Sequence, residues 1–197
     1  MNKHPTIYHA TVHRLNNACL KKDEDSIAEE TPVALVYNGI SHVVLMATPQ
    51  DLAELALGFS LSEGILEKAG ECYDIEVKTG VDGVEVHLEI AAARFAALKE
   101  RRRNISGRTG CGLCGIDSLA AVMPDIAPLE RQNRLDAGEI SQVLQRFDQA
   151  LPLRNQTGAL HAAAWVVEGE IRQVFEDVGR HNALDKLLGY LAKNDQN

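Results

Sequence analysis

Three pairs of apolar, β-prone segments, each pair separated by a short polar turn, constrain the fold of this 197-residue chain most strongly. Each turn contains a dipeptide ending in glycine, which tolerates the positive φ angles of a tight hairpin. The sequence therefore predicts three β-hairpins. The segments and turns are 33–37 and 42–46 around Asn38-Gly39, 73–78 and 84–90 around Asp82-Gly83, and 162–167 and 170–175 around Glu168-Gly169.

Helix-forming segments lie between and after these hairpins. Thr48-Pro49 is typical of a helix start, with Thr48 as the N-cap and Pro49 at the first helical position, and the helix is expected to cover residue 51 to about residue 60. Strands mixed with helices predict an α/β or α+β protein with a division near residue 105. Further helices are predicted at 91–103, 116–122, 136–149 and 180–193, a weak strand at 6–15, and a solvated, charge-rich loop at 21–30.

The charge balance limits the classes of partner. Twenty basic and 28 acidic residues give a net charge of −8, which argues against general binding to nucleic acid or to a membrane surface. No apolar run approaches the roughly 20 residues of a membrane helix, and the polar start resembles no signal peptide. We therefore expect a globular protein of the cytoplasm.

Cys111 and Cys114 form a CxxC pair within the segment 107–115, which also contains four glycines and Arg108. The glycines allow close approach of a reacting atom, and Arg108 and the loop amides favour thiolate over thiol. In a reducing compartment such a pair suits redox exchange, metal binding or persulfide chemistry.

The residues alone leave these three chemistries open. A structural zinc site needs four ligands, so the pair would have to recruit distant residues such as Cys19, Cys72 or His161. A deaminase-like zinc hydrolase using His161, Cys111 and Cys114 lacks its expected glutamate, because position 163 is alanine. Thioredoxin-like exchange places its CxxC after a first strand, whereas this pair follows an arginine-ended helix.

Three segments in order carry a family resemblance. The cysteine segment 107–115, the histidine segment 157–164 and the ionic block 175–186 resemble those of the FdhD family, the accessory sulfurtransferases of formate dehydrogenase. Thr31-Pro32 and the helical region 52–66 are also similar, so the resemblance spans about residues 30–190.

The resemblance implies a specific fold and activity. It implies a strand-rich N-terminal domain (1–105) followed by a cytidine deaminase-like α/β/α layered domain (106–197). The family takes sulfur from a cysteine desulfurase and delivers it to the bis(molybdopterin guanine dinucleotide) molybdenum cofactor that formate dehydrogenase needs. The persulfide falls on Cys111, Cys114 has a supporting role, and no permanently bound metal is expected; a non-catalytic cofactor-binding chaperone is the remaining alternative.

The resemblance also suggests how the cofactor is bound. The cations of the ionic block suit cofactor phosphates, and Asp177 is placed to orient His181 or to accept hydrogen bonds from guanine; an internal ion-pair network among Asp177, Arg180, Asp185 and Lys186 is the structural alternative. Because family members continue past residue 197, the second domain is expected to be incomplete at its C-terminus, which is compatible with a homodimer. The expected cofactor-binding residues are Arg108, Thr109, Gly110, His161, Asp177, Arg180, His181 and Lys186.

Overall fold

The chain folds into β-hairpins interleaved with helices. The computed structural model describes residues 4–17, 19–105 and 137–195. Its strands are β1 (Ile7–Asn16), β2 (Cys19–Ala28), β3 (Thr31–Tyr37), β4 (Ile40–Ala47), β5 (Cys72–Thr79), β6 (Val84–Ile90), β7 (His161–Val167) and β8 (Glu170–Asp177). Its helices are α1 (Leu52–Ser62), α2 (Ala92–Ile105), α3 (Ala137–Gln149), α4 (Pro152–Thr157) and α5 (Arg180–Lys193), with a 3₁₀ turn at Ala69–Glu71.

The three predicted hairpins are confirmed as the antiparallel pairs β3–β4, β5–β6 and β7–β8. Asn38 and Gly39 have φ angles of 45° and 80°, and Glu168 and Gly169 have φ angles of 51° and 74°. Two successive positive φ angles are the requirement of a type I′ turn, which is why these glycine-ended dipeptides predicted the hairpins correctly.

A four-stranded sheet in the order β4-β3-β6-β5 joins the first two of these hairpins. Its centre is the parallel pair β3–β6, so α1 lies on the connection between the two hairpins. Alternate residues of β3 and β6 are buried with apolar residues of α1, as the two-residue period of a strand requires. This core contains Val33, Leu35, Tyr37, Leu52, Leu55, Ala56, Val84, Val86 and Leu88.

The predicted loop at 21–30 is wrong. Residues 19–28 form β2, which pairs along its whole length with β1; the strand predicted weakly at 6–15 is confirmed. The charges that suggested a loop are used in cross-strand contacts, since Arg14 forms ion pairs of 3.0 Å with Asp23 and 2.9 Å with Asp25.

The predicted N-cap of α1 is also wrong, although the predicted span of 51 to about 60 is close to the observed helix. The helix begins at Leu52, and its N-cap is Asp51, which adopts a left-handed conformation with φ of 52°. Thr48 and Pro49 precede the helix. The Thr48 side chain accepts a hydrogen bond from the backbone N–H of Val178 instead of capping α1.

The helices predicted at 91–103, 136–149 and 180–193 are confirmed as α2, α3 and α5. The helix predicted at 116–122 lies outside the described residues. Helix α4 was not predicted, because six residues are too few to show a helical period; its only local signal is a proline at the first position. In the described ranges, no helix is both long enough and apolar enough to cross a membrane.

Helices α1 and α5 pack in close contact, which connects the N-terminal half of the chain to its last described helix. A Cβ atom on Gly58 would lie 1.8 Å from the carbonyl oxygen of Asp185, and one on Gly189 would lie 2.0 Å from that of Glu54. Only glycine fits at these two positions. The crossing holds the start of α5 beside the end of β4.

Candidate functional site

The ionic block of the sequence spans the turn between β8 and α5 and contains several buried charged side chains. Asp177 ends β8 and is fully buried. One carboxylate oxygen accepts hydrogen bonds from the Gly179 N–H (2.8 Å) and the Asn182 amide (3.0 Å), and the other accepts from the Thr48 N–H at 3.0 Å. With the 2.7 Å ion pair to Lys186, each oxygen has two partners, which fills the capacity of a carboxylate.

Lys186 is fully buried as well, and its ammonium group is saturated. Besides Asp177, it donates to the backbone carbonyls of Thr48 (3.2 Å) and Glu176 (3.1 Å). A lysine ammonium has three donors, and a buried charge is tolerated only when it is paired and hydrogen-bonded. The structure therefore confirms the Asp177–Lys186 part of the ion-pair alternative, and in the described part of the chain no ion pair joins Arg180 to Asp185.

Thr48 and Asn182 complete this turn, and the sequence analysis gave neither a role in the site. The Thr48 hydroxyl accepts from the Val178 N–H at 3.2 Å. The Asn182 amide donates to the backbone carbonyl of Met46 at 2.8 Å in addition to Asp177. The turn is thus tied to the end of β4, about 130 residues earlier in the chain.

Three predicted binding residues surround this turn with exposed side chains: His161, Arg180 and His181. Arg180 and His181 are the first residues of α5, following the extended N-cap Gly179. His161 begins β7 and pairs in register with Asp177 across the hairpin. These five predicted residues therefore lie at or next to one turn, with Asp177 and Lys186 buried and the other three exposed.

Glu176 is a further buried carboxylate, and the sequence analysis did not predict its structural role. It accepts hydrogen bonds from the backbone N–H groups of Leu153 (3.1 Å) and Arg154 (2.7 Å). These amides belong to the first turn of α4, where an anion is favourable. Glu176 thereby fixes α4 against the end of β8.

The predicted residues of the cysteine loop lie outside the described residues: Arg108, Thr109, Gly110, Cys111 and Cys114. The described cysteines differ from the expected nucleophile, since Cys19 is exposed and Cys72 is half-buried. Burial raises the pKa of the Cys72 thiol, which disfavours the reactive thiolate. Residues 4–17, 19–105 and 137–195 contain no group of three metal-binding side chains, but the zinc alternative depends on Cys111 and Cys114 and is not tested by this.

Comparison with known proteins decides the family, because residues 28–197 match the FdhD/NarQ family. The chain belongs to this family. Among FdhD/NarQ relatives, it is 52% identical to the sulfur carrier protein FdhD of Cupriavidus necator, over 98% of this chain and 67% of that protein. The resemblance seen in the three sequence segments is thus confirmed.

A solved structure supports the fold of this FdhD/NarQ member. The chain is similar to a protein from Desulfotalea psychrophila that is assigned as a formate dehydrogenase accessory protein, with a TM-score of 0.70. The match covers 96% of this chain and 68% of the other at 24% sequence identity. Likeness at this identity establishes the mixed α+β fold alone.

Proposed function

We propose that this chain is a sulfur carrier that accepts persulfide sulfur from a cysteine desulfurase and delivers it to the bis(molybdopterin guanine dinucleotide) cofactor of formate dehydrogenase. The observation that carries the proposal is the 52% identity, over nearly the whole chain, to a protein named as a sulfur carrier. The glycine-flanked cysteine pair supplies thiols of the required type.

Loading is a thiol exchange at Cys111. The Cys111 thiolate attacks the outer sulfur of the persulfide on the desulfurase, the sulfur–sulfur bond breaks, and the desulfurase cysteine leaves as a thiolate. Cys111 then carries the additional sulfur as its own persulfide. No external oxidant or reductant is consumed, because one sulfur–sulfur bond replaces another.

Release uses the second cysteine of the pair. The Cys114 thiolate attacks the inner sulfur of the Cys111 persulfide, forms a Cys111–Cys114 disulfide and expels the outer sulfur as hydrosulfide for the molybdenum centre. The two electrons that reduce the sulfur come from the two cysteines. A dithiol reductant of the cell then restores the pair, which places the cycle in a reducing compartment, the cytoplasm.

The exposed arginine and histidines around the β8–α5 turn form the proposed cofactor surface. Three exposed side chains are accessible to the phosphates of the cofactor: Arg180, His181 and His161. The buried pair Asp177–Lys186 does not contact the phosphates but fixes the backbone of the turn. Arg108, Thr109 and Gly110 would contribute from the cysteine loop. Cationic and imidazole groups are suitable partners for a diphosphate.

The proposal includes a domain arrangement. Residues 1–105 form the strand-rich domain, and residues 106–197 form the cytidine deaminase-like layered domain. The packing of α5 on the β7–β8 hairpin supports the second assignment, since it places a helix layer on a sheet. The proposal also includes a homodimer, in which a second copy of the chain is the partner.

Mass spectrometry tests the proposal directly. The protein is incubated with a cysteine desulfurase and cysteine, and the peptide containing Cys111 is examined for the mass of one added sulfur atom. We expect the adduct on Cys111 in the wild type, no adduct there in Cys111→Ala, and an adduct that forms but is not discharged in Cys114→Ala. Cys72→Ala is the matched control and should load normally, because the half-buried Cys72 thiol, whose pKa is raised, is not the nucleophile.

Two outcomes would replace the proposal. Stoichiometric zinc bound through Cys111 and Cys114 would favour the hydrolase alternative. Full support of formate dehydrogenase by the Cys111→Ala variant would show that the chain acts as a chaperone and not as a sulfur carrier.

A further inference from the structure

The β8–α5 turn is held in place by two residues to which the proposed function assigns no role. We propose that Thr48 and Asn182 are positioning residues, which fix the turn so that Arg180 and His181 meet the diphosphate of a guanine nucleotide. This inference rests on the proposed function. It adds the residues that determine where the cationic surface is built.

Thr48 contacts the turn through three separate groups. Its backbone N–H donates to Asp177, its backbone carbonyl accepts from Lys186, and its hydroxyl accepts from the Val178 N–H. The residue itself is fully buried. A buried threonine of the N-terminal half thus fixes the backbone of the segment that immediately precedes the exposed Arg180 and His181.

Asn182 holds the turn from the C-terminal side of Arg180 and His181. It directly follows His181, and its amide group bridges the Asp177 carboxylate and the Met46 carbonyl. A Cβ atom on Gly179 would lie only 2.9 Å from this amide, so the turn is closed tightly around it. The first turn of α5 therefore has one orientation relative to β4.

The fixed geometry matters because, among the described residues, no ion pair holds Arg180 or His181 in place. Arg180 and His181 are exposed, and within the described ranges neither forms an ion pair. Their side chains are then available to an anionic ligand, and their positions depend on the backbone of the turn. Groups that contact a ligand act effectively only when supporting residues hold them within a fraction of an ångström.

Binding of GDP, which contains the guanine and diphosphate groups of the cofactor, tests this inference by calorimetry on the full chain. Thr48→Val removes the hydroxyl but keeps the side-chain shape, and Asn182→Ala removes the bridging amide. We expect each variant to weaken GDP binding by about tenfold, a typical effect of residues that orient ligand-contacting groups. Thr48→Ser keeps the hydroxyl and should bind GDP as the wild type does.

Ser60→Ala is the control for a general loss of stability. The Ser60 hydroxyl is buried and contacts Tyr37 and the Ala56 carbonyl, with no contact to the turn. This variant should keep wild-type GDP affinity despite its lower stability. Asn182→Ala, at a partly exposed position, provides the test on its own if Thr48→Val does not fold.

The possible failures are distinguishable. Absence of GDP binding by the wild type would overturn the proposed nucleotide surface and this inference with it. Wild-type affinity in both Thr48→Val and Asn182→Ala, affinity in Thr48→Ser as low as in Thr48→Val, or an equal loss in Ser60→Ala would overturn the positioning role alone.

Discussion

Asp185 is a buried carboxylate on α5, and its side chain is next to the end of α1. Burial raises its pKa, and the negative charge of Glu63 adds to this, although the nearby Ser62 hydroxyl and His181 imidazole oppose it. The folded protein consequently binds the Asp185 proton more tightly than the unfolded chain. This contribution to stability is complete below the ordinary aspartate pKa, about 3.9, and is lost as the pH rises through the folded value.

Asp185→Asn is therefore expected to be more stable than the wild type at pH 7, since asparagine is neutral and similar in shape to the protonated acid. The difference should shrink as the pH falls below the ordinary aspartate pKa. Urea unfolding of both proteins, at pH 7 and at a pH below the ordinary aspartate pKa, measures the difference in their free energies of unfolding. Asp82→Asn, an exposed site, controls for the loss of one negative charge; a stability difference for Asp185→Asn that is the same at both pH values would contradict the prediction.

The sequence predicted which residues lie at the candidate site, but it did not predict which of their side chains are buried. His161, Asp177, Arg180, His181 and Lys186 all lie at or next to one turn, as the ionic block suggested. Their burial depends on Thr48, whose contact with Asp177 spans 129 positions of sequence. A local pattern assigns such a threonine to the nearest helix start, and only the folded chain shows its partner.

Among the elements, the crossing of α1 and α5 is the most restrictive. Gly58→Ala would place a methyl group 1.8 Å from a backbone oxygen, which requires the helices to separate. Overpacking of this kind costs about 1–3 kcal/mol or more, and we expect at least that loss in the free energy of unfolding. Chemical denaturation measures it.

Gly70→Ala is the matched control for the helix crossing. Nothing lies within 4 Å of a Cβ atom at Gly70, so the change in unfolding free energy should stay within about 0.5 kcal/mol. Equal stability of the Gly58→Ala and Gly70→Ala proteins would show that the two helices are not in the close contact described.

The elements that sequence predicted well are those with a local physical cause. Glycine-ended turns define the three confirmed hairpins because positive φ angles are a local requirement. The strand β2 was missed because its charged residues are stabilised by β1, so composition alone favours a loop. The role of Gly58 and Gly189 at the α1–α5 contact could not be predicted, since a glycine in a helical sequence does not indicate which other helix packs against it.

At the scale of the whole molecule, several contacts connect the described parts of the chain on either side of residue 105, and two of them involve buried groups. One is the packing of α1 on α5, and the other is the buried pair Asp177–Lys186 with its contacts to Thr48. The division into two domains stays a prediction. These contacts nevertheless predict that the two parts unfold together, because neither can separate without exposing a buried ion pair to water.

Lys186→Met tests this coupling. Removing one partner of a buried ion pair leaves an uncompensated charge on Asp177 and should cost about 3–5 kcal/mol in the free energy of unfolding. Lys193→Met on the same helix removes an exposed ion pair with Glu54 and should cost less than about 1 kcal/mol.

In wild type, fluorescence of Trp165, the single tryptophan, and far-ultraviolet circular dichroism should give one coincident urea transition. Separate transitions for Trp165 and for the ellipticity would show that the parts fold independently, and a small effect of Lys186→Met would show that the pair is not what connects them.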